Sequence, residues 1–239
     1  MPRSAIWKAI CDTLTAELAK GMYRPGDRLP TEAVLAARFG VNRHTVRHAL
    51  AAMAGAGLVL ARRGAGVFVA ISPTEYPLGR RVRFHQNVAA SGRTPSRRIT
   101  RAETRAAGVA EATALRLEPG MAVHVIEGVS LADGVALAVF RSVFPAARFA
   151  GLLAAMQGAG SVTAALSACG LTDYVRRDTR LTAVLCTPVM ALALQVAEGS
   201  PVLRSVAVNV DAGGAPVEYG TTWFAGDRVT LTVNPDQPP

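Results

Sequence analysis

The 239 residues predict an α+β protein in two parts, a small three-helix head closed by a β-flap and a larger body of antiparallel strands carrying helices. Three observations carry that prediction. Apolar residues up to Met53 recur at helical spacing, whereas beyond about residue 120 they come in runs broken by Gly- and Pro-bearing turns. Half of the chain is apolar, enough for two cores and too much for a disordered polymer. The net charge of +9 is unevenly placed: residues 1–74 contribute +6, residues 75–107 another +6, and residues 108–239 contribute −3. Basic charge gathered in the first half suits a polyanionic partner there, although an arginine-rich composition without a partner reads the same way.

In the head, residues 4–20 set Ile6, Ile10, Leu14 and Leu18 four apart, with Trp7 beside them, on a helix that Gly21 ends. Pro25-Gly26-Asp27 is a turn. Thr31 is the N-cap of a second helix, with Glu32 favourable near its positive end, Val34, Leu35 and Phe39 facing inward, and Gly40 closing it. Asn42 caps a third helix over residues 43–56, whose buried stripe is Val46, Ala49, Leu50 and Met53 and whose outer face is Arg43, His44, Arg47 and His48. After Gly57, Leu58-Val59-Leu60 and Val67-Phe68-Val69 read as two strands joined through Arg62-Arg63-Gly64-Ala65-Gly66. Three helices with that flap build a winged helix-turn-helix over residues 1–70.

Ser72-Pro73 and Tyr76-Pro77 mark residues 71–79 as a linker, leaving residues 80–239 for the second domain. There, residues 108–115 are helical and Glu118-Pro119-Gly120 is a turn. Residues 121–131 and 135–143 are strands about Ala132-Asp133-Gly134, a hairpin signal. Helices are predicted at 146–156, at 161–169 capped by Ser161, and at 188–197 with Thr187 as cap and Pro188 first. Strands are predicted at 172–185, 202–210, 215–224 and 229–233. Hairpin-joined strands imply an antiparallel sheet.

A helix enters the DNA major groove readily, and arginine bidentate on guanine is the commonest specific base contact. Arg43 and Arg47, one turn apart at the start of the third helix, are placed for that role. Asn42 and Thr45 suit phosphate or base contacts at the same helix end, and His44 is a weaker candidate. Arg62, Arg63 and Gly64 on the flap suit the backbone or minor groove. A lone surface arginine is more often a solvated charge; four basic residues at the turn ends of one compact motif reverse that balance. Zinc at His44 or His48 lacks further ligands, so no metal and no cofactor are expected. The three scattered cysteines, Cys11, Cys169 and Cys186, suit a reduced cytoplasmic protein, and no run of about 18 uncharged apolar residues suggests a membrane span. The N-terminus enters helical pattern without a signal-peptide core.

Residues 5–69 resemble the DNA-binding domain of GntR-family bacterial regulators, through Pro25-Gly26-Asp27-Arg28-Leu29-Pro30-Thr31-Glu32, Val41-Asn42-Arg43-His44-Thr45-Val46-Arg47-His48-Ala49-Leu50 and Gly64-Ala65-Gly66-Val67-Phe68-Val69. The resemblance implies operator contacts by Arg43, Thr45 and Arg47, with Arg63 and Gly64 at the wing tip. Ala33 departs from the pattern, which usually has arginine directly after that glutamate. Within the family, an aminotransferase-like second domain would need a Schiff-base lysine, and no lysine follows Lys20. An all-helical metal-binding type would need clustered ligands, and only His85 and His124 lie beyond the wing.

What remains resembles the HutC subfamily, whose UTRA effector domain is an α+β module similar to chorismate lyase. The carriers are the Ala-Asp-Gly hairpin, the Ser161 helix start, Gly199-Ser200-Pro201-Val202-Leu203, Pro216-Val217-Glu218-Tyr219 and Gly226-Asp227-Arg228. Tyr76-Pro77-Leu78-Gly79-Arg80-Arg81-Val82-Arg83-Phe84, Phe144-Pro145-Ala146-Ala147-Arg148-Phe149 and Asp173–Arg180 are most similar to phosphonate-metabolism regulators (PhnF-type). Sugar-phosphate sensors typically have an Arg-x-Arg pair just before the hairpin, where this chain has Gly128 and Ser130. An oxyanion needs converging cations and N–H donors. Arg81, Arg83, Arg141, Arg176 and Ser161 are the candidates, with Glu218 and Tyr219 for a polar or amino end of the ligand; for any single arginine an ion pair is an equal alternative.

The expectation is a homodimeric repressor on a pseudo-palindromic operator in double-stranded DNA, released or tightened by a small anionic effector. Two rivals come from other classes. An enzyme on the chorismate-lyase-like fold would need a nucleophile–base pair or paired carboxylates, and none stands out in residues 78–239. A nucleoid-type binder without an effector would show sequence-independent DNA affinity.

Overall fold

A computed structural model of the chain describes residues 3–62, 64–70, 73–81, 83–159 and 161–233. It falls into two compact units with the boundary at residues 72/73.

The head contains helices α1 (Arg3–Ala19), α2 (Glu32–Phe39) and α3 (Arg43–Gly55), then strands β1 (Val59–Arg62) and β2 (Gly66–Val69), paired antiparallel. The caps expected from sequence are in place: Thr31 Oγ1 accepts from Val34 N at 3.4 Å, and Asn42 Oδ1 accepts from Thr45 N at 2.8 Å. Gly40 ends α2 at φ +64, a conformation that costs a side-chain-bearing residue 1 kcal/mol or so, by order of magnitude. Ile10, Leu14, Leu35, Val46, Ala49, Leu50 and Met53 form the core with Val59 and Val69 from the flap. Val34, expected to face inward, is 56% exposed. The eight-residue α2 buries only Leu35 and Ala36, a stripe too narrow to reach Val34 at about 100° per residue.

The body begins earlier in the chain than the sequence predicts. Thr74–Pro77, inside the expected linker, is a strand (β3), and it pairs in parallel with β10 (Val229–Thr232) near the other end of the domain. Between them lies a six-stranded sheet of β4 (Pro95–Ala106), β5 (Ala122–Ala132), β6 (Val135–Pro145), β7 (Val175–Leu185), β8 (Pro201–Val210) and β9 (Pro216–Ala225). Its order is β4-β5-β6-β9-β8-β7, every neighbouring pair antiparallel. The β5–β6 turn has Asp133 at φ 50 and Gly134 at φ 79, the two positive angles a tight hairpin demands.

Helices cover both faces. On one, α4 (Phe84–Ala90), α6 (Leu152–Gly158) and α7 (Val162–Ala168) pack over Ile126, Phe140 and Phe144 or over Ala138 and Phe224. On the other, α5 (Val109–Leu115) covers Val123, Val125 and Val143, and α8 (Pro188–Leu194) covers Val129, Ala136 and Val202. Neither α4 nor β4 has a counterpart in the sequence reading, which assigned no element between residues 80 and 107. The helix expected from 146 starts only at Leu152, because Ala146 and Phe149 are buried in a turn that follows Pro145. That expected to reach 197 stops at Leu194, where Gln195 turns left-handed at φ 55.

Candidate functional site

The exposed first turn of α3 carries Arg43 and His44 outward. Asn42 and Thr45 are tied to each other, the Thr45 hydroxyl adding a 3.0 Å bond to the cap at Asn42 Oδ1. Arg47 is not loose: its Nε and Nη2 donate to Glu32 Oε1 and Oε2 at 2.9 and 2.7 Å. That fork holds the Glu32 carboxyl below its ordinary range and raises the Arg47 guanidinium. The edge expected to read guanine is therefore engaged by α2. On the flap, Arg62 lies over the Phe68 ring at 4.8 Å and Gly64 turns at φ +74. Arg63 lies outside the described residues. His48 stacks on Trp7 with ring centroids 4.5 Å apart, so it braces α3 against α1.

In the body, one face of the sheet holds a small cavity of about 70 Å³ beneath β3 and the starts of α4 and α7. Its floor is an alternation. Phe140 and Ser142 on β6, Ser205, Ala207 and Asn209 on β8, and Glu218, Gly220 and Thr222 on β9 all point into it, two residues apart along each strand. Arg83, Arg97 and Arg176 supply cationic groups, and Tyr76, Ser161, Thr163 and Tyr174 supply hydroxyls.

Four of the expected ligand residues, Arg83, Ser161, Arg176 and Glu218, thus converge. Arg83 stacks over Tyr174 at 4.8 Å and donates to Asp173 at 2.9 Å. The Ser161 hydroxyl accepts from Ala164 N at 3.1 Å and so caps α7. Asn209 Nδ2 donates to Glu218 Oε2 at 2.7 Å and fixes the carboxylate.

Three expected residues do not line the cavity. Arg141 and Tyr219 each directly adjoin a residue that does, and strand alternation turns them to the opposite face. There Arg141 donates to Glu111 at 2.8 Å, and Tyr219 packs with Leu115 and Val143. Arg81 pairs with the outer oxygen of Asp173 at 2.7 Å and its side chain is 64% exposed.

Arg97, which the sequence reading missed, is central. It sits on β4 directly opposite Ser130 of β5, its guanidinium 4.4 Å over Phe140 and 5.3 Å over Phe84. Its Nε is closed to solvent without a hydrogen-bond partner, as is that of Arg176. Among the described residues neither guanidinium has a carboxylate within salt-bridge distance. Burial pulls Arg97 down from the usual guanidinium range. Gly128 belongs to the same construction: a Cβ there would stand 3.0 Å from the Phe140 ring and 2.4 Å from Arg98 O. A signal for part of this was present in Asn209, a polar residue inside the apolar run Val206–Val210. Arg97 had no such mark among the arginines of residues 80–107.

Residues 7–69 match the family described as bacterial regulatory proteins, gntR family, and residues 90–230 match the UTRA domain. An HTH-type transcriptional regulator of Rhizobium meliloti (strain 1021) is 39% identical over 231 residues, covering 96% of this chain and 94% of that protein. The probable transcriptional regulator PhnF of Escherichia coli (strain K12) is 32% identical over 212 residues, 88% of each chain. The crystal structure of PhnF from Mycobacterium smegmatis superposes with a TM-score of 0.66 at 26% identity, covering 95% of this chain and 99% of that one.

Proposed function

The chain belongs to the gntR family of bacterial transcriptional regulators and carries the UTRA domain of its HutC type; from that premise we propose a phosphonate-responsive repressor. Two heads of a homodimer would meet a pseudo-palindromic operator, half-sites about one helical turn apart, in the cytoplasm. The cavity in the body would take a small phosphonate or phosphate ester. One observation carries this reading: three guanidinium groups line the cavity against the single carboxylate of Glu218. Arg83 is balanced by Asp173, but Arg97 and Arg176 have no such counter-charge among the described residues. A dianionic head would neutralise both and satisfy their idle N–H groups. The small volume favours such a head over a bulky sugar phosphate.

Derepression then requires that the ligand prefer the DNA-incompetent state, because equal affinity for both states shifts nothing. The reported relatives are named as regulators, which supports a role without turnover.

The test is a thermal-shift series with methylphosphonate, methanesulfonate and sugar phosphates. Methylphosphonate should raise the melting temperature with concentration, and the singly charged sulfonate should not. A shift from sugar phosphates alone would replace the phosphonate reading with another HutC-type sensor. No shift from any anion would overturn the effector reading altogether.

A further inference from the structure

We propose that Arg28 seats a DNA backbone phosphate at the junction of the wing and α3; the proposal rests on the head binding duplex DNA. The segment bearing Arg28 runs alongside β2. Leu29 N donates to Val67 O and Val69 N donates to Asp27 O, both at 2.8 Å, which sets Arg28 opposite Phe68. From there its side chain crosses the wing at Gly66. A Cβ at Gly66 would stand 2.8 Å from Arg28 Nε and 3.2 Å from Nη2, so the guanidinium lies on bare wing backbone. The φ of +109 at Gly66 favours glycine, and the missing side chain leaves the backbone open to the guanidinium.

Arg28 shares a depression of about 350 Å³ with Arg43 and Arg47, between the starts of α2 and α3 and the wing. The carboxylate in its lining, Glu32, is already held by both nitrogens of the Arg47 fork. The nearby Asp27 carboxylate accepts from Arg24 N at 2.7 Å. Among the described residues, no acid pairs with Arg28 or Arg43. Two guanidinium groups therefore share one concavity without an ion pair of their own, although Arg43 also helps to lower the Glu32 carboxyl, and Ala33 adds only a methyl to the lining. A tetrahedral, singly charged oxyanion on a continuous polyanion fits that arrangement. Because Arg47 is committed to Glu32, Arg28 is the cation that links the reading helix to the wing.

The experiment is fluorescence anisotropy of the full chain on a labelled mixed-sequence duplex of about 30 base pairs, titrated from roughly 50 to 250 mM salt. Replacing Arg28 by glutamine should lower the slope of log affinity against log salt by about 0.9, equivalent to about eightfold weaker binding at 0.1 M salt. Arg28→Lys should restore most of the slope, because a phosphate reads charge more than fork geometry. The melting temperature should not change, since no ion pair is lost. Equal slopes for wild type and Arg28→Gln would overturn the proposal alone. A fall in melting temperature with an unchanged slope would do the same and make Arg28 a wing-packing residue. Wild-type protein that binds no duplex would remove the premise along with the proposal.

Discussion

Arg97 is held between two aromatic rings where its charge has favourable ring faces but, among the described residues, no carboxylate within salt-bridge distance. Stacking of this kind is worth about 1–2 kcal/mol, whereas burying an unpaired ion costs several kcal/mol, by order of magnitude. The residue is therefore costly to the folded protein by itself, and under the proposed function a bound dianion would offset that cost. Arg97→Met keeps a wedge between Phe84 and Phe140 and removes the charge. We expect the empty variant to melt at the same temperature as wild type or higher, and its response to methylphosphonate to vanish. A lower melting temperature with the ligand response intact would make Arg97 structural. Alternation also divides the neighbouring pairs Glu218/Tyr219 and Arg141/Ser142 between the two faces of the sheet. Adjacent residues on a strand serve opposite faces, so Glu218 and Tyr219 could not both reach one ligand.

Two elements on the far face of the sheet depend on buried charge. Arg228, 4% exposed, donates to Leu194 O and Ala136 O at 2.7 Å and to Gln195 O at 3.0 Å, closing the C-terminus of α8 with a cation where the helix dipole favours one. Arg228→Ala leaves those carbonyls unsatisfied, and we expect a loss of about 3 kcal/mol in urea unfolding of the body. A loss below about 1 kcal/mol would show that water replaces the guanidinium. In the first turn of α5, Glu111 accepts from both terminal nitrogens of Arg105 at 2.7 Å, from Gly108 N and from Arg141. The hydrogen bonds from Arg105 lead in lowering its pKa from 4.5 to about 2. A depressed carboxyl contributes stability that is full above pH 4.5 and is lost as pH falls toward about 2. Glu111→Gln should thus melt lower at neutral pH and show a flatter melting-temperature curve across that window. Parallel curves for the two proteins would remove the ion cluster from the account of acid stability.

Over the whole molecule, charge is divided between a basic first half and an acidic remainder, residues 108–239 carrying −3. Under the proposed function, an effector in the body and DNA on the head would be linked ligands of one protein. Linkage makes their coupling reciprocal. If methylphosphonate weakens duplex binding by some factor, saturating duplex must weaken methylphosphonate binding by the same factor, measured by calorimetry with and without operator. A methylphosphonate affinity indifferent to DNA would leave the cavity uncoupled from the head and end the repressor mechanism proposed above.

The local grammar of this chain is legible in its sequence. The stripe of Val46, Ala49, Leu50 and Met53, the caps Thr31, Asn42, Ser161 and Thr187, and the Asp133-Gly134 turn all depend on residues within a few positions of one another. The motif around Arg43 and Arg47 is equally local. What folding alone decided is distant in sequence: β3 pairing with β10, Arg97 set against Ser130, and a cavity floor shared by β6, β8 and β9. Periodicity reports which side of an element is apolar. It carries no information about strand order or register, and those two quantities determine which polar side chains of one face end up around the same space.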